Sequence, residues 1–454
     1  MPTQLPNELV YLILDHLALT PREECLQDFI SSSLVNSTFR PHCQKYIFHA
    51  VRLWPSFPEA NGLRSPDLLG HHRRSLLLVR AVTCNPSLGL HVRRLSHRVT
   101  AWPRDDYDGL DEMLHALELM PNITDLELGH RLILRDGRFG VTIAPGSRWT
   151  DSVLALAQRR SVHTLRLKGV ARYSEDLVSD NIRVLHLEKS FLRLGEAPNG
   201  AVPEFSRRKI QVLTCDHFST IFLLHRYMEG ASPQLETSTI KRLSIYLYLA
   251  TTQDYRRLLR QTSCLQELEL TVERTIVSPT DLANFVSPPL THLHPQSFST
   301  LRFLTVHMRI DLQNGVLLSP YTNLVGDSLA QFVALESLLF NIVLQGSLTW
   351  HPVNFMPGRW GQLSKILCQP GACPKIQRVS IQVKIWTGRY RVEAERLAQR
   401  FGKFVFPAEF QRLIETRPEI DFSFVTEVVV SDLAIPLVPY MALRDLPLVP
   451  YLER

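Results

Sequence analysis

Cysteine and histidine pairs are the residues of this sequence whose spacing could hold a metal ion. Cys368 and Cys373 flank the turn sequence Gln-Pro-Gly-Ala, which would bring two thiols together. A structural zinc site needs a second pair at zinc-finger spacing, and the sequence has none. The other candidates are two histidine pairs that would chelate only weakly: His71 with His72, and His292 with His294. We therefore expect no metal site.

Catalysis would require other groups. The 17 histidines offer many bases, but no Gly-x-Ser-x-Gly element presents a nucleophile. The glycine-rich phosphate-binding motifs Gly-x-Gly-x-x-Gly and Gly-x-x-x-x-Gly-Lys are also missing. The carboxylate pairs Glu23-Glu24 and Asp105-Asp106 fall in a helix start and a loop, where they would be solvated. We predict that the chain is not an enzyme and uses no cofactor.

The composition is that of a soluble globular protein, with 45% hydrophobic and 21% charged residues over 454 positions. A net charge of +6 is mild for this length, so we expect no nucleic-acid partner. No run of about 20 apolar residues predicts a membrane span, and the N-terminus lacks the features of a signal peptide. The seven cysteines are odd in number and scattered, which favours free thiols in the cytosol or nucleus.

The first fifty residues read as three short helices. Pro6 suits the first turn of a helix, and Leu9, Ile13 and Leu17 follow four residues apart on one face. Thr20-Pro21-Arg22-Glu23 has the form of a capping box that starts a second helix. The remaining surface of the first helix is also apolar, and fifty residues cannot build a core that covers it. A partner chain is the natural cover.

This stretch resembles the F-box, the adaptor-binding module of cullin–RING ubiquitin ligases, and its ending is similar to fungal F-boxes. It departs from the pattern at Phe39, where tryptophan is usual, and in a longer connection between Leu17 and Val35. The resemblance implies docking on a Skp-type adaptor within a cullin complex. The residues expected to contact the adaptor, or to form the small core behind it, are Leu5, Pro6, Leu9, Ile13, Leu17, Leu34, Val35 and Phe39. The alternative is that residues 5–48 simply cap the next domain.

Beyond residue 91 a hexad recurs in which the first, fourth and sixth positions are apolar. Val92–Leu95 reads as a damaged first copy. Clear copies begin at Ile123, Val162, Ile182, Ile210, Ile240, Leu265, Leu301, Leu335, Ile376 and Val425. Nearly every copy follows a helix-like segment, such as Leu110–Met120 or Trp360–Leu367, which is typical of a leucine-rich repeat. The irregular spacing resembles the degenerate leucine-rich repeats that often follow F-boxes in fungi.

The predicted fold class is α/β (α+β overall), with a three-helix F-box before an irregular solenoid of parallel strands alternating with helices. We assign residues 1–52 to the F-box, 53–90 to a transition with one helix, and 91–454 to the repeats. The polar hexad positions would face outward, some of them toward a protein target: Thr124, His163, Arg166, Arg183, Lys241, Glu267, Glu269 and Arg302. An ordinary α/β domain with flanking helices is the alternative. The repeated Pro-Leu-Val-Pro-Tyr at 436–440 and 447–451 would cap the solenoid or present a peptide.

Together these features predict the substrate-recognition subunit of an SCF-type cullin–RING ubiquitin ligase. The F-box would dock on the adaptor, and the repeats would bind an unknown protein substrate. The alternative function is a leucine-rich-repeat scaffold that binds proteins outside any ligase.

Overall fold

In a computed structural model, the chain folds as an α/β protein in which parallel strands alternate with helices. The structure describes residues 7–18, 22–35, 37–54, 66–99, 109–130, 142–143, 146–170, 172–173, 177–190, 209–216, 219–220, 236–247, 252–273, 289–311, 327–345, 360–387, 391–400, 402–403 and 406–430. They belong to two compact units, Met1–Arg208 (unit 1) and Lys209–Arg454 (unit 2). None of the described helices combines the length and apolar character that crossing a bilayer requires.

Unit 1 begins with three helices and continues into a parallel sheet of order β1-β2-β3-β5-β7. Its helices are α1 Asn7–Leu17, α2 Arg22–Val35, α3 Arg40–Ile47, α4 Pro66–Cys84, α5 Pro86–Gly89, α6 Leu110–Glu118 and α7 Arg148–Ala157. Its strands are β1 Ala50–Leu53, β2 Arg94–Val99, β3 Asp125–His130, β4 Thr142–Ile143, β5 Thr164–Lys168, β6 Arg172–Tyr173 and β7 Val184–Glu188. The short β4 and β6 pair only with each other.

Unit 2 contains a parallel sheet whose strand order follows the chain from β8 to β14. The strands are β8 Val212–Cys215, β9 Arg242–Leu247, β10 Glu267–Glu273, β11 Phe303–Asp311, β12 Ser337–Gln345, β13 Arg378–Thr387 and β14 Asp421–Val430. The helices are α8 Thr252–Gln261, α9 Ser297–Thr300, α10 Trp360–Leu367, α11 Arg391–Arg400 and α12 Phe406–Thr416. Short 3₁₀ segments occur at Thr237–Thr239, Pro289–His292 and Asp327–Gln331.

The hexads form the strands, as predicted. In each copy except the predicted last one, the first apolar residue lies just before a strand, and the other two lie inside it on the buried face, because side chains alternate along a strand. Ile123, just before β3, and Leu126 and Leu128 within it are at most 2% exposed. The same three positions are buried in every following copy through the one that begins at Ile376. Repetition of one buried triplet, with each strand paired to the next, builds the core.

The predicted last hexad is wrong in register. In β14, Phe422 and Phe424 pair with Val379 and Ile381 of β13 and so take the core-facing positions. Val425, predicted as the first apolar position, is 52% exposed. The predicted fourth and sixth positions, Val428 and Val430, do lie on the core-facing side of β14, but Phe422 lies opposite Val379, the fourth position of the preceding copy. The predicted hexad is therefore displaced by six residues, an even number that leaves the buried side unchanged.

The damaged first copy is a real strand with a histidine at the third apolar position. Val92 and Leu95 are buried, and His97 of β2 is also buried. The indole Nε1 of Trp149 donates a hydrogen bond of 2.9 Å to His97 Nε2. This bond connects the first turn of α7 to β2. It also gives the buried imidazole the polar partner that such a group needs.

The first strand lies at Ala50–Leu53, where it pairs in parallel with β2. It therefore spans the predicted boundary at residue 52, and the helix α4 lies within the predicted transition segment. The Pro-Leu-Val-Pro-Tyr pair, at 436–440 and 447–451, lies outside the described residues.

All seven cysteines are free thiols in the structure, as expected from their odd number and scatter. Cys84 and Cys264 are exposed, Cys368 is half-buried, and four are buried: Cys25, Cys43, Cys215 and Cys373. Burial raises the pKa of Cys215 and raises that of Cys373 to about 12. Since the thiolate is the reactive form, both buried thiols should be inert in the folded protein.

We expect a thiol-specific reagent at neutral pH to modify Cys84 and Cys264 quickly and Cys368 more slowly, because reaction requires access as well as the thiolate. The four buried cysteines should react only after unfolding. Peptide mapping of the modified protein, with and without denaturant, measures this directly. Rapid modification of Cys215 in the folded protein would contradict the fold described for unit 2.

Candidate functional site

The three N-terminal helices of unit 1 pack around a small core. Leu14 of α1, Cys25 and Phe29 of α2 and Cys43 of α3 are buried in it. Side chains that pack against this core are Val10, Leu17, Ala18, Phe39, Tyr46 and Ile47. Each helix therefore has an inner apolar face that is already filled.

A polar cluster holds α1 against α3. The Asp15 carboxylate accepts a hydrogen bond of 2.8 Å from His42 Nε2 and a second, short one from the Tyr46 hydroxyl. These bonds lower the pKa of Asp15. Burial and the hydrogen bond to Asp15 raise the pKa of Tyr46 to about 12. Tyr11 stacks on His42, with ring centroids 4.7 Å apart, so the cluster fixes which face of α1 points outward.

The outward face of α1 carries three large apolar side chains, and Glu8 and His16 are also exposed on this helix. Leu9, Leu12 and Ile13 are 46%, 63% and 58% exposed, and their spacing of three and four residues places them on one side of the helix. At the end of α2, Leu34 and Val35 are 76% and 79% exposed. We call these five side chains the N-terminal apolar surface.

The two parts of this surface lie on α1 and at the end of α2, and one hydrogen bond joins α1 to the segment that follows α2. The Tyr11 hydroxyl donates a weak hydrogen bond of 3.4 Å to the carbonyl oxygen of Thr38, shortly after α2 ends. Exposed leucines on their own need no explanation. Leu9, Leu12 and Ile13 on α1 form one exposed apolar patch, and Leu34 and Val35 at the end of α2 form a second. Large apolar side chains grouped in this way are typical of surfaces that a partner covers.

The predicted site residues divide into three groups. Leu9, Ile13, Leu34 and Val35 lie on the N-terminal apolar surface. Leu17 and Phe39 instead pack against the small core. Leu5 and Pro6 lie outside the described residues. Leu12 is an additional surface residue, and its signal was its position three residues after Leu9.

The solvent-facing side of each sheet is a second candidate surface. In unit 2 its charged side chains pair across neighbouring strands. Arg242 Nε lies 3.3 Å from Glu267 Oε2, and Lys384 Nζ lies 3.1 Å from Glu427 Oε2. Arg302, just before β11, makes two hydrogen bonds of 2.8 and 2.9 Å to the Glu336 carboxylate. This side of unit 2 is therefore close to electrically balanced.

A polar chain crosses the middle of the same side. The His307 Nε2 atom lies 2.9 Å from Glu269 Oε1, and its Nδ1 lies 3.2 Å from Asn341 Nδ2. The bond from His307 lowers the pKa of Glu269. A hydrolase would need a nucleophile bonded to such a histidine, but here a carboxylate and an amide occupy the two ring nitrogens. These two contacts fix the orientation of the His307 ring.

No group of three His, Cys, Asp or Glu side chains within the described ranges could hold a metal ion. In comparisons with known proteins, no family model matches the chain and no curated protein matches its sequence.

Proposed function

We propose that the protein is the substrate-recognition subunit of an SCF-type cullin–RING ubiquitin ligase. In this proposal the three N-terminal helices form an F-box that docks on a Skp-type adaptor, with the N-terminal apolar surface as the contact. The observation that carries the proposal is the exposure of Leu9, Ile13 and Leu34 on helices whose inner faces are already filled. Burying each such side chain is worth about 2 kcal/mol.

The remaining chain would be an irregular leucine-rich-repeat solenoid that binds a protein target. Support comes from the strand order within each unit, which follows the chain, and from the repeated buried triplet in successive strands. Stacked repeats bury a continuous core in this way. The solvent-facing side chains of the strands would then be available for a target.

The mechanism is one of proximity. The subunit would hold the target near a ubiquitin-charged conjugating enzyme, which raises the effective concentration of the target's lysines. This chain would contribute binding alone, and the chemistry would belong to other subunits. The ligase would operate in the cytosol or the nucleus, where seven free thiols remain reduced.

The test is recovery of the adaptor and cullin with tagged full-length protein, identified by mass spectrometry. We expect the wild type to recover both, and the double variant Leu9→Asp with Ile13→Asp to recover neither, because two carboxylates would have to be desolvated in the contact. Leu77→Asp is the matched control, since Leu77 is an exposed leucine on α4. It should behave as the wild type does.

All three proteins must show the same circular dichroism spectrum. If folded wild type recovered no adaptor, or if the double variant recovered it as well as the control did, the F-box proposal would be wrong. A repeat scaffold outside any ligase would then be the better account.

A further inference from the structure

The solvent-facing side of the unit 1 sheet carries more cations than anions. Five cationic side chains lie on it: Arg52, Arg94, Arg98, Arg166 and Lys168. Three carboxylates lie on the same side: Asp125, Glu127 and Glu188. We call this side the basic face of unit 1. Its excess of two positive charges contrasts with the balanced side of unit 2.

Two of the five cations are already paired. Arg98 Nε donates a hydrogen bond of 2.8 Å to Glu127 Oε1, and the Ser96 hydroxyl donates to the same oxygen at 3.1 Å. Lys168 Nζ lies 2.7 Å from Glu188 Oε2. Arg52, Arg94 and Arg166 are exposed and form no ion pair with any described residue. Three guanidinium groups are thus available to a ligand.

A glycine explains why Glu127 does not pair with its neighbour Arg166. At Gly129, a Cβ would lie 3.0 Å from Arg98 Cγ, so the missing side chain lets Arg98 lie across β3. Arg98 then reaches Glu127, while its guanidinium also lies over the Trp54 ring, 5.1 Å from the centroid. Burial acts to raise the pKa of Glu127, but the hydrogen bond and charge of Arg98 keep it below its usual value.

The register gives the spacing of the free arginines. Arg52 pairs with Ser96, Ser96 with Glu127, and Glu127 with Arg166, so all four lie in one row across the strands. Three strand spacings separate Arg52 from Arg166, a distance of about 14 Å. An extended peptide that crosses the strands places same-side residues i and i+4 about 14 Å apart. Residue i+2 of that peptide would lie over Ser96 and Glu127.

We propose that the basic face of unit 1 binds an extended acidic segment of a protein, with carboxylates at positions i and i+4 on Arg52 and Arg166 and an uncharged residue at i+2. The proposal rests on the function proposed above and names the class of its target. Discrete acids fit this face better than a nucleic-acid backbone does. The closely spaced phosphates of a nucleic acid would lie against Glu127 and Glu188, and contact between like charges disfavours binding.

The test uses full-length protein and a fluorescein-labelled 12-residue Gly/Ser peptide with two glutamates at i and i+4. Fluorescence anisotropy at low ionic strength should show binding that is about tenfold weaker for Arg52→Glu and for Arg166→Glu. Arg412→Glu, on the exposed side of α12, makes the same change in net charge and should bind as the wild type does. A peptide with its glutamates at i and i+3 should bind more weakly to the wild type.

Equal binding by the wild type, Arg52→Glu and Arg166→Glu would overturn the proposal. Tighter binding of an oligothymidylate than of the peptide, lost in the same two variants, would also overturn it in favour of nucleic acid. Thermal melting confirms that each variant is folded. Recovery of the adaptor is measured on the same preparations. It does not involve the basic face, so failure of the ligase proposal and failure of this one can be told apart.

Discussion

Gly89→Ala is expected to lower the free energy of unfolding by about 3 kcal/mol. Gly89 ends α5 and is buried, and a Cβ there would lie 2.1 Å from the carbonyl oxygen of Leu119 and 2.9 Å from its carbonyl carbon. Leu119 follows the last residue of α6, so the two segments approach each other at the backbone. Backbone cannot move aside as the end of a flexible side chain can, and the stacking of α6 next to α5 would have to open.

Gly70→Ala is the matched control for this substitution. Gly70 lies in α4, is exposed, and has nothing within 4 Å of the position of a Cβ. Alanine should therefore stabilise that helix by about 0.5–1 kcal/mol. Urea unfolding followed by circular dichroism measures both variants. If Gly89→Ala were as stable as the wild type, the close approach of α5 to Leu119 would be incorrect.

The second large effect is a loss of stability at mildly acidic pH through His97. Burial lowers the pKa of this histidine from 6.5 to about 4. The folded state then keeps His97 neutral, so that its Nε2 accepts the hydrogen bond from the Trp149 indole. The unfolded chain takes up a proton once the pH falls below about 6.5. Because the unfolded state binds more protons between the two pKa values, stability falls as pH falls through this window.

From about pH 7.5 to about pH 5, we expect His97 to contribute a loss of about 2 kcal/mol. Urea unfolding at the two pH values measures the loss. In His97→Leu and in His97→Asn the difference should shrink by that amount. The two variants pack differently, so agreement between them assigns the effect to protonation. An unchanged difference in both variants would show that His97 is not the group responsible.

These residues also mark what the sequence could predict and what it could not. The hexads predicted the strands because a period of two and a buried triplet are local properties of the chain. The copy at Val425 failed because apolar residues continue along the core-facing side of β14 as far as Val430, so the pattern does not fix where the copy begins. Only pairing with β13 places Phe422 opposite Val379. The cost at Gly89 could not be predicted, since it depends on Leu119, thirty residues later.

The candidate sites also have a part that the sequence could predict and a part that only the structure shows. Spacing alone identified Leu9 and Ile13 as one face of a helix, but it also grouped Leu17 with them. Only the packing of α1 against Phe39 and the rest of the small core separates Leu17 from that face. The binding role of the basic face of unit 1 depends on which arginines have no carboxylate partner among the described residues. That depends in turn on Gly129 and on the path of Arg98 toward Glu127.

The measurement that tests the central claim most directly is isothermal titration of the purified full-length protein with a purified Skp-type adaptor. The account predicts saturable one-to-one binding by the wild type and by Leu77→Asp. For the double variant Leu9→Asp with Ile13→Asp, it predicts an affinity about 100-fold weaker, or no measurable heat of binding. Absence of binding by folded wild type, or equal affinity for all three proteins, would contradict the assignment of the N-terminal apolar surface to an adaptor.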